Sequence, residues 1–158
     1  MKHLGLFVPI TLSALLAAGP ALADKAGPHH NHHSAGQPGD PKNPARTVEV
    51  VMREADGKMM FVPNRIEVRR GEQIRFVLRN AGTLEHEFVL ATKQENRKHA
   101  EEMRKNPDME HDDPNMTRVA AGKARELVWR FTKRGTFEFG CLIPGHYEGG
   151  MFGTVVVK

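Results

Sequence analysis

The sequence predicts an all-β fold, an antiparallel β-sandwich that is interrupted by one short helical insertion. Three observations support this prediction. Short runs of β-branched and aromatic residues recur over residues 47–158, turn signals separate these runs, and several of them alternate apolar with polar residues. A segment of about 110 residues is long enough to bury a single hydrophobic core. We therefore expect one folded domain from Thr47 to Lys158.

The predicted strands follow one another at short intervals. In chain order they are TVEVVM (47–52), KMMFVP (58–63), NRIEVRRGE (64–72), QIRFVLRN (73–80), HEFVLA (86–91), ELVWRFT (126–132), GTFEFGC (135–141) and GTVVVK (153–158). The clearest alternation is in the fourth, where Ile74, Phe76 and Leu78 share one face. That face is predicted to line the core.

The segment from Thr92 to Met116 breaks the pattern of short strands. It is highly charged, and its centre from Gln94 to Arg104 is compatible with a helix that ends at Asn106-Pro107. A segment of this length is too long for a hairpin loop. We expect it to pack a short helix against one edge of the sandwich.

The first 23 residues predict a cleaved signal peptide. They combine an early lysine, a short apolar run and the sequence Ala21-Leu22-Ala23, a typical cleavage site. A membrane anchor is the alternative, but the apolar run is short and is broken by proline and glycine. The mature protein is therefore expected outside the cytoplasm, with no membrane span.

Residues 24–46 contain almost no large apolar side chains and are rich in glycine, proline and histidine. Such a segment cannot bury enough surface to offset the entropy of ordering, so we expect a flexible, His-rich tail. The formal net charge of the whole chain is only +4, with acidic and basic residues interleaved. This charge pattern gives no support for nucleic-acid binding. Separately, we expect the protein to be a monomer.

Cys141 is the only cysteine of an exported chain, so it has no partner for an internal disulfide. The open interpretations are an intermolecular bridge, a buried inert thiol, a reactive nucleophile and a metal ligand. If Phe137 and Phe139 face the core, strand alternation points Cys141 inward as well, where the strand runs into a loop.

The loop after Cys141 supplies two further ligand types, His146 and then Met151. One thiolate combined with imidazole and thioether favours copper, whereas several cysteines would favour structural zinc. A trigonal copper site needs a second histidine, and His86 opens an apolar strand where it can reach the same end of the sandwich. His86, Cys141, His146 and Met151 therefore form a candidate electron-transfer copper site.

Each of these residues also has a structural interpretation. Cys141 alone fits a buried thiol, His86 a hydrogen-bonded histidine at a strand end, and Met151 a core side chain. A cysteine–histidine pair also suits hydrolytic chemistry. The inward direction of Cys141, its apolar loop and the lack of an evident oxyanion-hole motif argue against that reaction.

The motifs HEFVL (86–90) and FEFGCLIPGHYEGGMFGTVVV (137–157) resemble the cupredoxin family. This resemblance implies a Greek-key β-sandwich, one type 1 copper ion and the ligands His86, Cys141, His146 and Met151. Within the family, the sequence most resembles the small periplasmic cupredoxins that are associated with copper tolerance. Many cupredoxins carry Asn or Ser after the first ligand histidine, whereas this chain has Glu87, so the bond that usually joins the two ligand loops is in question.

The function expected from this resemblance is periplasmic copper binding that supports copper tolerance, together with electron transfer to a redox or copper-handling partner that docks near His146. A plain respiratory or photosynthetic carrier is the alternative. An enzyme such as a cuprous oxidase needs further copper ligands, and the domain offers only His99 and His111 in addition. Extra copper could bind two other groups, which are the tail residues His29, His30, His32 and His33 and the insertion residues Met103, Met109, His111 and Met116.

Overall fold

The computed structural model describes residues 33–107 and 112–158, which form ten strands and one helix. The strands are β1 (Gln37–Pro38), β2 (Arg46–Ala55), β3 (Lys58–Val62), β4 (Arg65–Val68), β5 (Gln73–Asn80), β6 (His86–Ala91), β7 (Met116–Val119), β8 (Ala124–Arg130), β9 (Gly135–Gly140) and β10 (Phe152–Val157). The helix, α1, spans Lys93–Lys105. The predicted signal peptide, 1–23, lies outside the described residues.

The strands form two five-stranded sheets, with the orders β1-β8-β5-β2-β3 and β4-β10-β9-β6-β7. Most neighbouring strands are antiparallel, as predicted, and the β-sandwich is confirmed. Two pairs are parallel instead, β2 with β5 and β4 with β10. The chain leaves the first sheet after β3, forms β4 in the second sheet and returns to the first as β5, which lies beside β2. In the second sheet, β4 lies beside β10, the last strand of the chain. In both pairs the two strands are not consecutive in the sequence.

The hydrophobic core lies between the two sheets. Ile74, Phe76 and Leu78 of β5 are all fully buried, which confirms the face predicted from their alternation. From the other sheet, the rings of Phe88 and Phe139 stack with their centroids 5.0 Å apart. Phe88 lies near the start of β6, and Phe139 lies near the end of β9. These two strand ends carry His86 and Cys141, so close packing of the core fixes the backbone on which the two candidate ligands lie.

Helix α1 begins at a capping box. The Thr92 hydroxyl accepts a hydrogen bond from the Glu95 N–H, and the Glu95 carboxylate accepts one from the Thr92 N–H. The helix buries Ala100 and Met103 and contacts β6 and β9, which are neighbours inside their sheet. It therefore covers the outer face of that sheet and not an edge, and β6 is buried on both faces.

The segment before Thr47 contributes to the packed structure. Strand β1 pairs with β8, Ala35 is fully buried, and the indole N–H of Trp129 donates a hydrogen bond to the Ala35 carbonyl at 3.3 Å. The packed part of the chain thus begins earlier than the sequence suggests, because Ala35 and a two-residue strand carry too little pattern to detect. Across the described ranges, no helix is long and apolar enough to cross a bilayer.

Candidate metal centre

His86 and Cys141 lie at the same end of the sandwich, as predicted. His86 is the first residue of β6, and Cys141 directly follows the last residue of β9. Because β6 and β9 are antiparallel neighbours, the start of one lies beside the end of the other. Both side chains are fully buried.

The loop between β9 and β10 is held by its own backbone hydrogen bonds. The Cys141 N–H donates to the Met151 carbonyl at 3.0 Å, and the Met151 N–H donates to the His146 carbonyl at 3.0 Å. Gly145 and Gly150 adopt positive φ angles of 90° and 92°, which L side chains rarely adopt. These bonds bring the backbones of the three predicted loop ligands together, and the Met151 side chain is fully buried.

The potential ligand atoms of His86, Cys141 and His146 all lie within 4.8 Å of one another. The two Nδ1 atoms are 3.2 Å apart, and Cys141 Sγ is 3.9 Å from His86 Nδ1 and 3.2 Å from His146 Nδ1. A triangle with these three sides has a circumradius of about 2.0 Å, which is near the metal–nitrogen bond lengths of protein sites, about 2.0–2.1 Å. The three atoms therefore fit a single metal ion.

Burial keeps the Cys141 thiol of the metal-free site protonated at neutral pH. Desolvation raises the pKa of the Cys141 thiol to about 12, although the Glu87 N–H donates a hydrogen bond to Sγ at 3.2 Å. Desolvation and the neighbouring His86 ring lower the pKa of His146. A proton on the thiol thus has to leave before the sulfur can bind a metal as thiolate.

The side chain of Glu87 is fully buried and pairs with Arg118, whose Nε lies 2.8 Å from Oε1. The other oxygen of Glu87, Oε2, is buried and has no hydrogen-bond partner among the described residues. The contact between the two ligand segments is instead made by the Glu87 backbone, whose N–H reaches Cys141 Sγ. This backbone bond needs no particular side chain at position 87. The Glu87 carboxylate itself pairs with Arg118 on β7, so among the described residues it does not replace the bond that Asn or Ser at this position is expected to make between the ligand loops.

Sequence reasoning missed two residues that support the site. Asn80 is buried and binds the loop before β6, since its Nδ2 donates to the Leu84 carbonyl at 2.7 Å and its Oδ1 accepts from the Gly82 N–H at 2.9 Å. Glu54 contacts the ring of His86, with Oε1 2.6 Å from Nε2. A signal for Glu54 exists in the sequence, because it shares the alternation of Val50 and Met52 on the inner face of β2.

Several residues predicted for additional copper binding lie outside the described part of the chain, namely His29, His30, His32, Met109 and His111. His33 packs edge-on against Trp129, with ring centroids 5.4 Å apart. Met103 and Met116 are buried. Among the described residues, the single group of three or more histidine, cysteine or acidic side chains arranged for a metal is His86, Cys141 and His146.

Comparison with known sequences gives one family and several relatives. The model of the family described as copper binding proteins, plastocyanin/azurin family, matches residues 48–158. A copper-resistant cuproprotein CopI from Rubrivivax gelatinosus is 48% identical over 168 residues, covering 100% of both chains. A second copper-resistant cuproprotein CopI, from Pseudomonas aeruginosa, is 36% identical and covers 85% of this chain and 87% of its own.

Solved structures share the same sandwich. Auracyanin B is 26% identical with a TM-score of 0.62, covering 78% of this chain and 96% of its own. A multicopper oxidase from Campylobacter jejuni has a TM-score of 0.53 at 12% identity and covers 75% of this chain but only 31% of its own. At that identity the oxidase shows similarity of fold alone.

Proposed function

Because this chain belongs to the plastocyanin/azurin family of copper-binding proteins, we propose that it is a periplasmic protein that supports copper tolerance. His86, Cys141, His146 and Met151 hold one copper ion and allow electron transfer to a partner. The observation that carries the proposal is the convergence of three ligand atoms around one point, two of them on the buried side chains of His86 and Cys141 and one on the partly buried His146. The copper-resistant relative that matches over its whole length supports the tolerance role.

The donor set suits both oxidation states of copper. Thiolate and thioether favour Cu(I), and imidazole suits Cu(II), so the bound ion can supply one-electron chemistry. The protein fixes the donors on two antiparallel strands and on a loop closed by its own hydrogen bonds. Because these groups are already in place, little rearrangement accompanies a change of charge at the site, which favours fast electron transfer.

The surface beside His146 is the candidate docking face. His146 is only partly buried, and two large apolar residues near this end of the sandwich, Leu84 and Phe152, are 46% and 44% exposed. Contiguous exposed apolar patches mark protein contact sites, and the exposed Phe152 ring packs against Tyr147, the residue after His146, with ring centroids 5.6 Å apart. We assign this face to the redox or copper-handling partner.

Copper binding is expected to release the thiol proton. The raised pKa of Cys141 keeps the metal-free thiol protonated at pH 7, whereas the bound form is thiolate. Wild-type protein should therefore release about one proton more per Cu(II) than a Cys141→Ser variant. Calorimetry in two buffers of different protonation enthalpy measures this difference, and equal proton release by the two proteins would contradict a thiolate ligand.

A plain electron carrier is the second candidate, because a thiolate, a thioether and two imidazoles around one copper ion suit one-electron transfer without any tolerance role. Growth on copper separates the two functions. A strain that lacks the gene should tolerate less copper, wild-type protein should restore growth, and Cys141→Ser should not. A variant with alanine at His29, His30, His32 and His33 controls for binding by the tail. Normal growth of the deletion strain on copper would favour the carrier.

A further inference from the structure

We propose that Glu54 is a positioning residue of the copper centre, which holds the His86 ring and increases its electron donation to the metal. The proposal deepens the proposed function and rests on His86 as a copper ligand. The contact in question is made by Nε2 of His86, the ring nitrogen that does not face the other candidate ligands.

The geometry assigns the two nitrogens of His86 different roles. Nε2 lies 2.6 Å from Glu54 Oε1, whereas Nδ1 faces His146 Nδ1 at 3.2 Å and Cys141 Sγ at 3.9 Å. An ionised carboxylate can only accept hydrogen bonds, so Nε2 carries the proton. A ring that carries its proton on Nε2 keeps a lone pair on Nδ1, where a metal would be bound.

The same carboxylate fixes the loop that precedes His86. Glu54 Oε2 accepts a hydrogen bond from the Thr83 N–H at 2.7 Å, and Oε1 accepts a longer one from the Leu84 N–H at 3.4 Å. Glu54 belongs to β2 in one sheet, whereas His86 opens β6 in the other. One side chain therefore joins the two sheets at the site and sets the direction of the ligand ring.

The negative charge of Glu54 is directed at the imidazole. Its side chain is 25% exposed, and its Oε1 lies 2.6 Å from His86 Nε2. A hydrogen bond to a carboxylate makes a ligand histidine more basic, and loss of such a partner typically weakens metal binding about 10–100-fold. A more basic ring favours Cu(II) over Cu(I), so Glu54 is expected to lower the reduction potential.

The test compares Glu54→Gln with Glu49→Gln. Glutamine keeps the size of the side chain but removes its charge, and Glu49 lies on the same strand, where it is exposed and 3.7 Å from Arg79. Both variants lose one negative charge, so the control corrects for long-range electrostatics. Glu54→Gln should weaken Cu(II) binding about tenfold or more with a smaller effect on Cu(I), and Glu49→Gln should change neither.

The reduction potential gives an independent measurement. A tenfold change in the ratio of Cu(II) to Cu(I) affinity corresponds to about 59 mV. Glu54→Gln should therefore raise the potential relative to Glu49→Gln, by about 59 mV for a tenfold loss of Cu(II) affinity with Cu(I) affinity unchanged, and by less where Cu(I) affinity also falls. Equal potentials in the two variants would overturn the proposal. Equal losses of Cu(I) and Cu(II) affinity would overturn it too, because they would mean that Glu54 only stabilises the loop.

The absorption spectrum separates this proposal from the assignment of the ligands. If thiolate-to-copper absorption is present in wild-type protein and both variants, with equal potentials, only the role of Glu54 is wrong. If wild-type protein lacks this absorption, the copper site itself is wrong, and the proposal for Glu54 fails with it.

Discussion

Replacing Arg118 with alanine is expected to destabilise the metal-free protein by about 3 kcal/mol, the lower part of the range for breaking a buried ion pair. The Glu87 side chain is fully buried, and the described residues offer it one side-chain hydrogen bond, from Arg118 Nε at 2.8 Å. Without this partner, an uncompensated charge remains beside the ligand strand. Because Arg118 is itself 38% exposed, water can enter and reduce the cost.

Urea denaturation of the metal-free protein at neutral pH measures this effect. Arg79→Ala is the matched control, because Arg79 pairs with Glu49 at 3.7 Å and both side chains are about 60% exposed. An exposed pair of this kind contributes about 0–1 kcal/mol. The double variant Glu87→Gln/Arg118→Ala should recover much of the lost stability, since it removes the buried charge. If Arg118→Ala costs no more than Arg79→Ala, the ion pair does not stabilise the fold.

The sequence predicted the strands well where burial follows a simple alternation. Ile74, Phe76 and Leu78 are all buried in β5, and the helix at Lys93–Lys105 lies where its charged sequence predicts it. Strand β7 and the two-residue β1 were missed. A strand this short carries little periodicity, and both depend on pairing with a distant strand, β1 with β8 and β7 with β6.

The four candidate ligands were accessible to sequence reasoning because each follows from a local rule. Cys141 continues the inward alternation of Phe137 and Phe139, and all three side chains are buried. His146 and Met151 follow on the same loop, which its own hydrogen bonds close. Chemical preference for a soft donor with imidazoles then points to copper.

The residues around the ligands could not be predicted in the same way. Glu54 is 32 positions from His86, and Arg118 is 31 positions from Glu87. Their contacts depend on which strands become neighbours and on how the two sheets face each other. A charged residue on the inner face of a strand, as at Glu54, shows only that some buried partner is needed.

Replacing Cys141 with serine is expected to have the largest effect on the copper site. The thiol is one of the three converging ligand atoms and lies 3.2 Å from His146 Nδ1 and 3.9 Å from His86 Nδ1. A serine hydroxyl is of similar size but is a hard, weakly acidic ligand without the sulfur orbitals that give intense absorption with Cu(II). The variant should lose this absorption completely while keeping the fold.

The visible spectrum after addition of one equivalent of Cu(II) tests the copper assignment most directly. Wild-type protein should show intense thiolate-to-copper absorption that saturates at one equivalent. A variant with alanine at His29, His30, His32 and His33 should show the same spectrum, and circular dichroism should confirm that Cys141→Ser is folded. The account predicts no such absorption in Cys141→Ser, and an unchanged spectrum in that variant would contradict it.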